Sequence, residues 1–309
     1  MLSRSAENLF WLGRYMERAE ATARLIEMGR RMAMLPSPSE RDEWRSVARA
    51  SGAATFLDGA DAPDERAVIA LLLLREDNPS SIRSSLARAR NNGKSVRTAL
   101  TQQMWETLNE GWRYLDWIDE EAACRDLTPI LEWVKTRAAT FRGAADSSML
   151  RDDRYDFLRL GGLVERADAT LRLLDVKYWV LLPETDVVGG GRDHHQWTSI
   201  LFALNGLRAF HHAYRGDFSP WKIADFLILN AAFPRSLAYC YAQIVEHLNS
   251  LGQRYESEAP CARTAWSRLI RLSRAGAGEI FRGGLHEFVG DSISVNNRLA
   301  AEIAEAYYF

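Results

Sequence analysis

Two dipeptides in this 309-residue chain set an acid beside a base at matched positions, Glu17-Arg18 and Glu165-Arg166. Each lies in the same local frame. Glu-Arg-Ala, an acid, Ala-Thr, any residue and Arg runs from Glu17 to Arg24 and again from Glu165 to Arg172. Guanidinium forks hold carboxylates or phosphates bidentately, and a carboxylate can receive an amine or a proton. The same residues also suit a structural ion-pair network that fixes how two related segments dock. Both readings are open on the sequence. They are compatible, since a symmetric network can border a cleft.

Helices must position these groups. Leu9, Leu12, Met16, Ala19, Ala23 and Ile26 follow steps of three and four, and Phe157, Leu160, Val164, Ala167, Leu171 and Leu174 repeat the stripe. The opposite faces also carry apolar residues: Phe10, Trp11 and Leu25 around Arg14, Glu17 and Arg18, and Leu158 and Leu173 around Glu165 and Arg166. A helix apolar on two faces is expected to be buried between neighbours. The acid–base pairs would then leave water and need partners, the nearest being each other.

Almost every other segment also reads as helix. Ser37-Pro38-Ser39-Glu40 is a capping box. A helix opening at Asn78-Pro79 is expected to run past Asn109, another covers about 127 to 141, and 142 to 153 is expected to join two halves. In the second half a helix spans about 155 to 182. Pro183 and Gly189-Gly190-Gly191 break it, and Ser219-Pro220 and Phe233-Pro234 open later ones. The repeat continues, since Leu72 to Ile82 aligns with Leu227 to Leu237 and sets Pro234 over Pro79. The expected class is all-α: two pseudo-repeated antiparallel bundles, residues 1–146 and 147–309, packed as one large double bundle. Arg75, Glu76, Asp77 and Asn78 become Asn230, Ala231, Ala232 and Phe233, and Arg14 becomes Gly162. Any cleft is therefore expected to take its polar lining mainly from the first half.

Hydrophobic residues make up 47% and charged residues 26%, with a net charge of −2. That balance is globular and argues against a nucleic-acid binder or a polybasic membrane anchor. No apolar run is long enough to span a bilayer. An odd count of 3 cysteines without metal-type spacing fits a reducing cytoplasm. All 6 histidines fall in the second half. Adjacent pairs such as His194-His195 point about 100° apart on a helix, so no metal is expected. Nor does a phosphate-binding loop, a dinucleotide fingerprint or a nucleophile elbow occur, and no cofactor is expected.

The run from Asn8 to Glu20 (NLFWLGRYMERAE) resembles the opening signature of the alpha-E domain proteins, predicted α-helical proteins with an ER motif. Arg75 to Arg83 (REDNPSSIR) is similar to that family's second signature, and Met104-Trp105-Glu106, Glu165-Arg166 and Phe233 to Ser236 continue the likeness over nearly the whole chain. The resemblance implies a bacterial protein that accompanies an ATP-grasp type ligase and a transglutaminase-like protein in making or modifying peptides or related amides. It carries Glu17, Arg18, Arg75, Glu76, Asn78 and Ser80 over as candidate positions, with Arg14, Glu165 and Arg166 beside them. An accessory or binding role towards a peptide or amino-acid derivative is expected. The alternatives are an enzyme using Glu17 or Glu165 as acid/base with Arg14, Arg18 and Arg75 as electrostatic stabilisers, and a purely structural scaffold.

Overall fold

The computed structural model describes residues 1–34, 40–57, 63–179 and 190–309. The Ser37 to Ser39 cap and the break from Pro183 to Gly189 lie outside the described residues. Those residues form helices α1 (Ser3–Met32), α2 (Glu40–Ala50), α3 (Glu65–Leu73), α4 (Ile82–Ser95), α5 (Gln102–Asp116), α6 (Glu120–Arg125), α7 (Leu127–Ser148) and α8 (Asp153–Trp179). They continue with α9 (Gly191–Ala203), α10 (Leu207–Tyr214), α11 (Pro220–Ile228), α12 (Leu237–Tyr255), α13 (Pro260–Arg274), α14 (Ala277–Arg282) and α15 (Leu285–Ala306). The class is all-α, with no strand among the described residues.

Two boundaries differ from expectation. The segment read as one helix past Asn109 is two, because the chain turns after Ser95 and Thr101 caps α5 by accepting from the Met104 amide. The expected join from 142 to 153 is mostly helix, since α7 runs on to Ser148 and carries Arg142 on its last turns. The segment is rich in small and polar residues. Packing against α1 nevertheless favours its helical state.

The long helices α1 and α8 form the spine, and each is buried on more than one face. Leu9, Leu12, Ala19, Ala23 and Ile26 are fully covered, and Phe10 and Leu25 on the other side are buried. At 30 residues α1 is about 45 Å long. Its neighbours are α8, α4, α7 and α9, while α8 meets α1, α12, α15 and α2. Thus α2 lies against α8 and α9 lies against α1.

The spine helices cross almost backbone to backbone. A Cβ on Gly13 would come within 2.1 Å of the Leu158 carbonyl oxygen, and one on Gly161 within 1.9 Å of the Phe10 carbonyl oxygen. Only glycine leaves room for either contact. Glu17 and Glu165 each follow their glycine by one helical turn, which aims both acids at the crossing.

Candidate functional site

The dipeptides pair crosswise at this crossing. Arg166 donates to Glu17 through Nε to Oε1 and Nη2 to Oε2, both at 2.9 Å. Arg18 grips Glu165 in the same forked way, at 2.5 and 3.0 Å. Thr22 Oγ1 donates to the Ser80 carbonyl, and Thr170 Oγ1 does the same to the Arg235 carbonyl. Arg24 and Arg172 each bind the acid four residues before them, Glu20 and Asp168. They also reach across to the last carbonyls of α9 and α2, those of Ala203 and Ala50. Arginine at a helix C-terminus meets carbonyls left without an intrahelical donor.

Around Glu17 the network is closed. Arg142 of α7 and Arg235, from the turn before α12, donate to Glu17 at 3.1 Å each. Both also bind Glu20, Arg235 at 2.5 Å. Only a cavity of about 30 Å³ remains beside Arg142 and Arg166. Burial pushes the Glu17 carboxyl up, but Arg166, Arg142 and Arg235 overcome it and hold the group well below its ordinary range. Crowding costs the cations something too, since burial pulls Arg235 down to about 10 despite Glu20 and Glu17. Cys240, enclosed in this region, is pushed up to about 12 by burial, with Arg166 opposing.

Around Glu165 the network is open. A cleft of about 180 Å³ lies there, walled by Arg14, Arg18 and Thr22 of α1 and by Glu165, Asp168 and Arg172 of α8. Ser51, Ser80 and Asn297 complete its polar edge, with Ala21, Leu25, Ala169 and Leu173 as apolar wall. Arg14 donates Nε to Glu165 at 2.8 Å and lies 4.8 Å from the centroid of the Trp11 ring. Arg18 lies 5.6 Å from the centroid of Tyr15. Aromatic faces and Glu165 thus hold both guanidinium groups in place. Burial raises the Glu165 carboxyl and the two arginines lower it more, to about 2. The cleft therefore presents three guanidinium groups against two carboxylates, one of which is neutralised by a double grip. Sites that engulf drug-sized ligands run to ~300–1,000 Å³, so this one suits a head group or one small molecule.

The expected site residues divide three ways. Arg14, Arg18, Ser80 and Glu165 meet in the cleft, while Glu17 and Arg166 lie in the closed cluster. The structure does not bring Arg75, Glu76 and Asn78 to either. Arg75 and Glu76 are exposed, Arg75 being bound to Asp77 through Nε at 2.9 Å. Asn78 is buried as a turn brace, donating to the Leu71 carbonyl at 3.0 Å and accepting from the Ser80 amide at 2.9 Å. The polar lining comes from both halves, contrary to the expected bias to the first. Asp168 and Arg172 went unselected although they stand in the repeated frame itself. Arg142 and Arg235 carried no local signal, since nothing nearby in sequence shows that they converge on Glu17 and Glu20. Two of the histidines face carboxylates, His247 Nδ1 lying 2.8 Å from Asp156 and His286 Nδ1 2.8 Å from Asp175.

A family model described as a predicted alpha-helical domain with a conserved ER motif matches residues 1–308. Uncharacterized proteins of Mycobacterium bovis and of two Mycobacterium tuberculosis strains are each 24% identical over 277 residues, covering 83% of this chain and 31% of their own length. The chain thus spans less than a third of these relatives. No solved structure matches it. Among the described residues, no helix is long and apolar enough to cross a membrane.

Proposed function

The chain belongs to the Alpha-E family, and on that footing we propose that it is a ligand-recognising accessory protein of a bacterial peptide- or amide-forming system. In this reading it works in the cytoplasm beside an ATP-grasp type ligase and a transglutaminase-like protein, the partners implied by the family resemblance. Residues 1–146 and 147–309 act as two related helical bundles packed as one unit. The cleft at Glu165 is where they meet a peptide or amino-acid derivative.

One observation carries the reading. Arg14, Arg18 and Arg172 converge on a small open cleft, whereas the matched end of the same network is closed. Guanidinium groups exposed to a partly dry cleft favour a carboxylate. Binding is favoured over acid–base catalysis by the state of the glutamates. A carboxyl held near 2, as Glu165 is, gains little by taking a proton at neutral pH, where a general base works best with a pKa close to that pH.

The test is calorimetric titration with L-arginine and L-citrulline and their C-terminal amides at low salt. The free acids are expected to bind and the amides to lose at least about tenfold, the worth of one charge-assisted contact. Arg14→Ala should weaken the acids while Arg18 keeps Glu165 paired and unfolding stays cooperative, and Arg18→Lys should weaken them through loss of the fork. Equal binding of acid and amide would remove the carboxylate reading.

A further inference from the structure

The two ends of the network start from matched residues and are finished differently. The alignment that sets Pro234 over Pro79 also sets Arg235 over Ser80. At the closed end Arg235 and Arg142 insert their guanidinium groups between Glu17 and Glu20. At the open end Ser80 is short and α15 presents Asn297 instead of an arginine, which leaves that volume to the cleft.

The carboxylates register the difference. Glu165, the match of Glu17, has recruited Arg14, where the other copy has Gly162. Asp168, the match of Glu20, has recruited nothing. Glu20 accepts from three arginines, Arg24, Arg142 and Arg235. Asp168 accepts from Arg172 on Oδ2 alone. Its Oδ1 is buried with no hydrogen-bond partner among the described residues. Asp168 is 7% exposed and lines the cleft. A buried carboxylate oxygen without a donor is unfavourable and is normally satisfied.

We infer that the cleft takes a cationic group, a guanidinium or a primary ammonium, seated on Asp168 as Arg235 is seated on Glu20. The inference rests on the cleft being a ligand site, and it adds a second pole to the carboxylate proposed above. The ligand is then one small molecule carrying both charges, such as a free amino acid or a peptide end with a basic group. The closed end serves as an internal template of the occupied state.

The experiment separates the poles and the two sources of cation. Calorimetry would use three carboxylates: Nα-acetyl-L-citrulline with no cation, L-citrulline with an ammonium, and Nα-acetyl-L-arginine with a guanidinium. Binding by either or both cationic compounds, at least about tenfold tighter than by Nα-acetyl-L-citrulline, is expected. Whichever binds identifies the cation. Asp168→Asn should erase that difference. Since the ligand series needs no variant, a fold defect in Asp168→Asn would leave the comparison intact. Equal affinity for all three overturns the cation while the carboxylate reading stands. No binding by any of them overturns both.

Discussion

At the scale of single residues, what separates the two acids of the ER dipeptides is the cleft beside Glu165, since both are buried. Glu17 is 2% exposed and shared among Arg166, Arg142 and Arg235. Its replacement by Gln leaves the buried Arg166 without its carboxylate, which costs roughly 3–5 kcal/mol for a buried pair. Glu165→Gln strands Arg14 and Arg18 at the wall of an open cleft, where water can solvate them. Urea titrations should therefore show Glu17→Gln as the more destabilised variant, and the reverse order would contradict the closed-versus-open assignment. Acid provides a second test. Glu165 sits at about 2 instead of its ordinary 4.5, and Glu17 and Glu20 are lowered as well. Carboxylates lowered by folding stabilise fully above their unfolded values, and the contribution drains as they are protonated. The urea midpoint should hold steady above pH 4.5 and fall as pH drops from 4.5 towards 2. A midpoint unchanged across that window would argue against the ion-pair network. The enclosure of the dipeptides was legible in sequence because apolar residues flank them on both helix faces. The special state of Asp168 was not. A sequence shows that an acid is present, but not that its nearest donors are missing.

At the scale of elements, the α1–α8 crossing sets everything else. Two backbones this close exclude any side chain at Gly13 and Gly161. Gly161→Ala should force the helices apart, move Glu165 away from Arg18 and destabilise by about 3 kcal/mol, the upper range for overpacking, or more. Gly143→Ala, on α7 where an added Cβ meets nothing within 4 Å, is the control and should be neutral or slightly stabilising. Equal midpoints for the two alanine variants would contradict the close approach. The spacing of apolar residues announced both spine helices. The crossing point was illegible, because a glycine inside a helix looks like a weak helix former until a partner backbone is seen beside it. The pairing also fixes register. An acid next to a base in each helix means that turning α8 by about 100° while sliding it one residue would set Glu165 against Glu17, like charge against like, so the crossing disfavours that alignment.

At the scale of the whole molecule, the arrangement is interlocked. The largest interface is between α1 and α8, and α2 and α9 each lie across the opposite spine helix. Fragments 1–146 and 147–309 made separately would expose the Phe10, Leu25, Leu158 and Leu173 faces, part Glu165 from Arg14 and Arg18, and part Glu17 from Arg166 and Arg235. Neither fragment is expected to melt cooperatively alone, and the two together should recover a single transition. Two independent transitions from the separate fragments would show that the halves are self-sufficient. Composition and periodicity made the all-α class plain. They could not show the exchange of α2 and α9, since contacts between distant segments leave no local mark.

That exchange limits how a ligand can enter. A protein that closes two lobes on its substrate needs a hinge about which they swing. Here Arg172 of α8 is tied to the end of α2 and Arg24 of α1 to the end of α9, so the spine helices are pinned on both sides. Opening like a jaw would break both ties and the spine together. Admission to the Glu165 cleft is through the mouth it already has. Binding there should leave the backbone as it was.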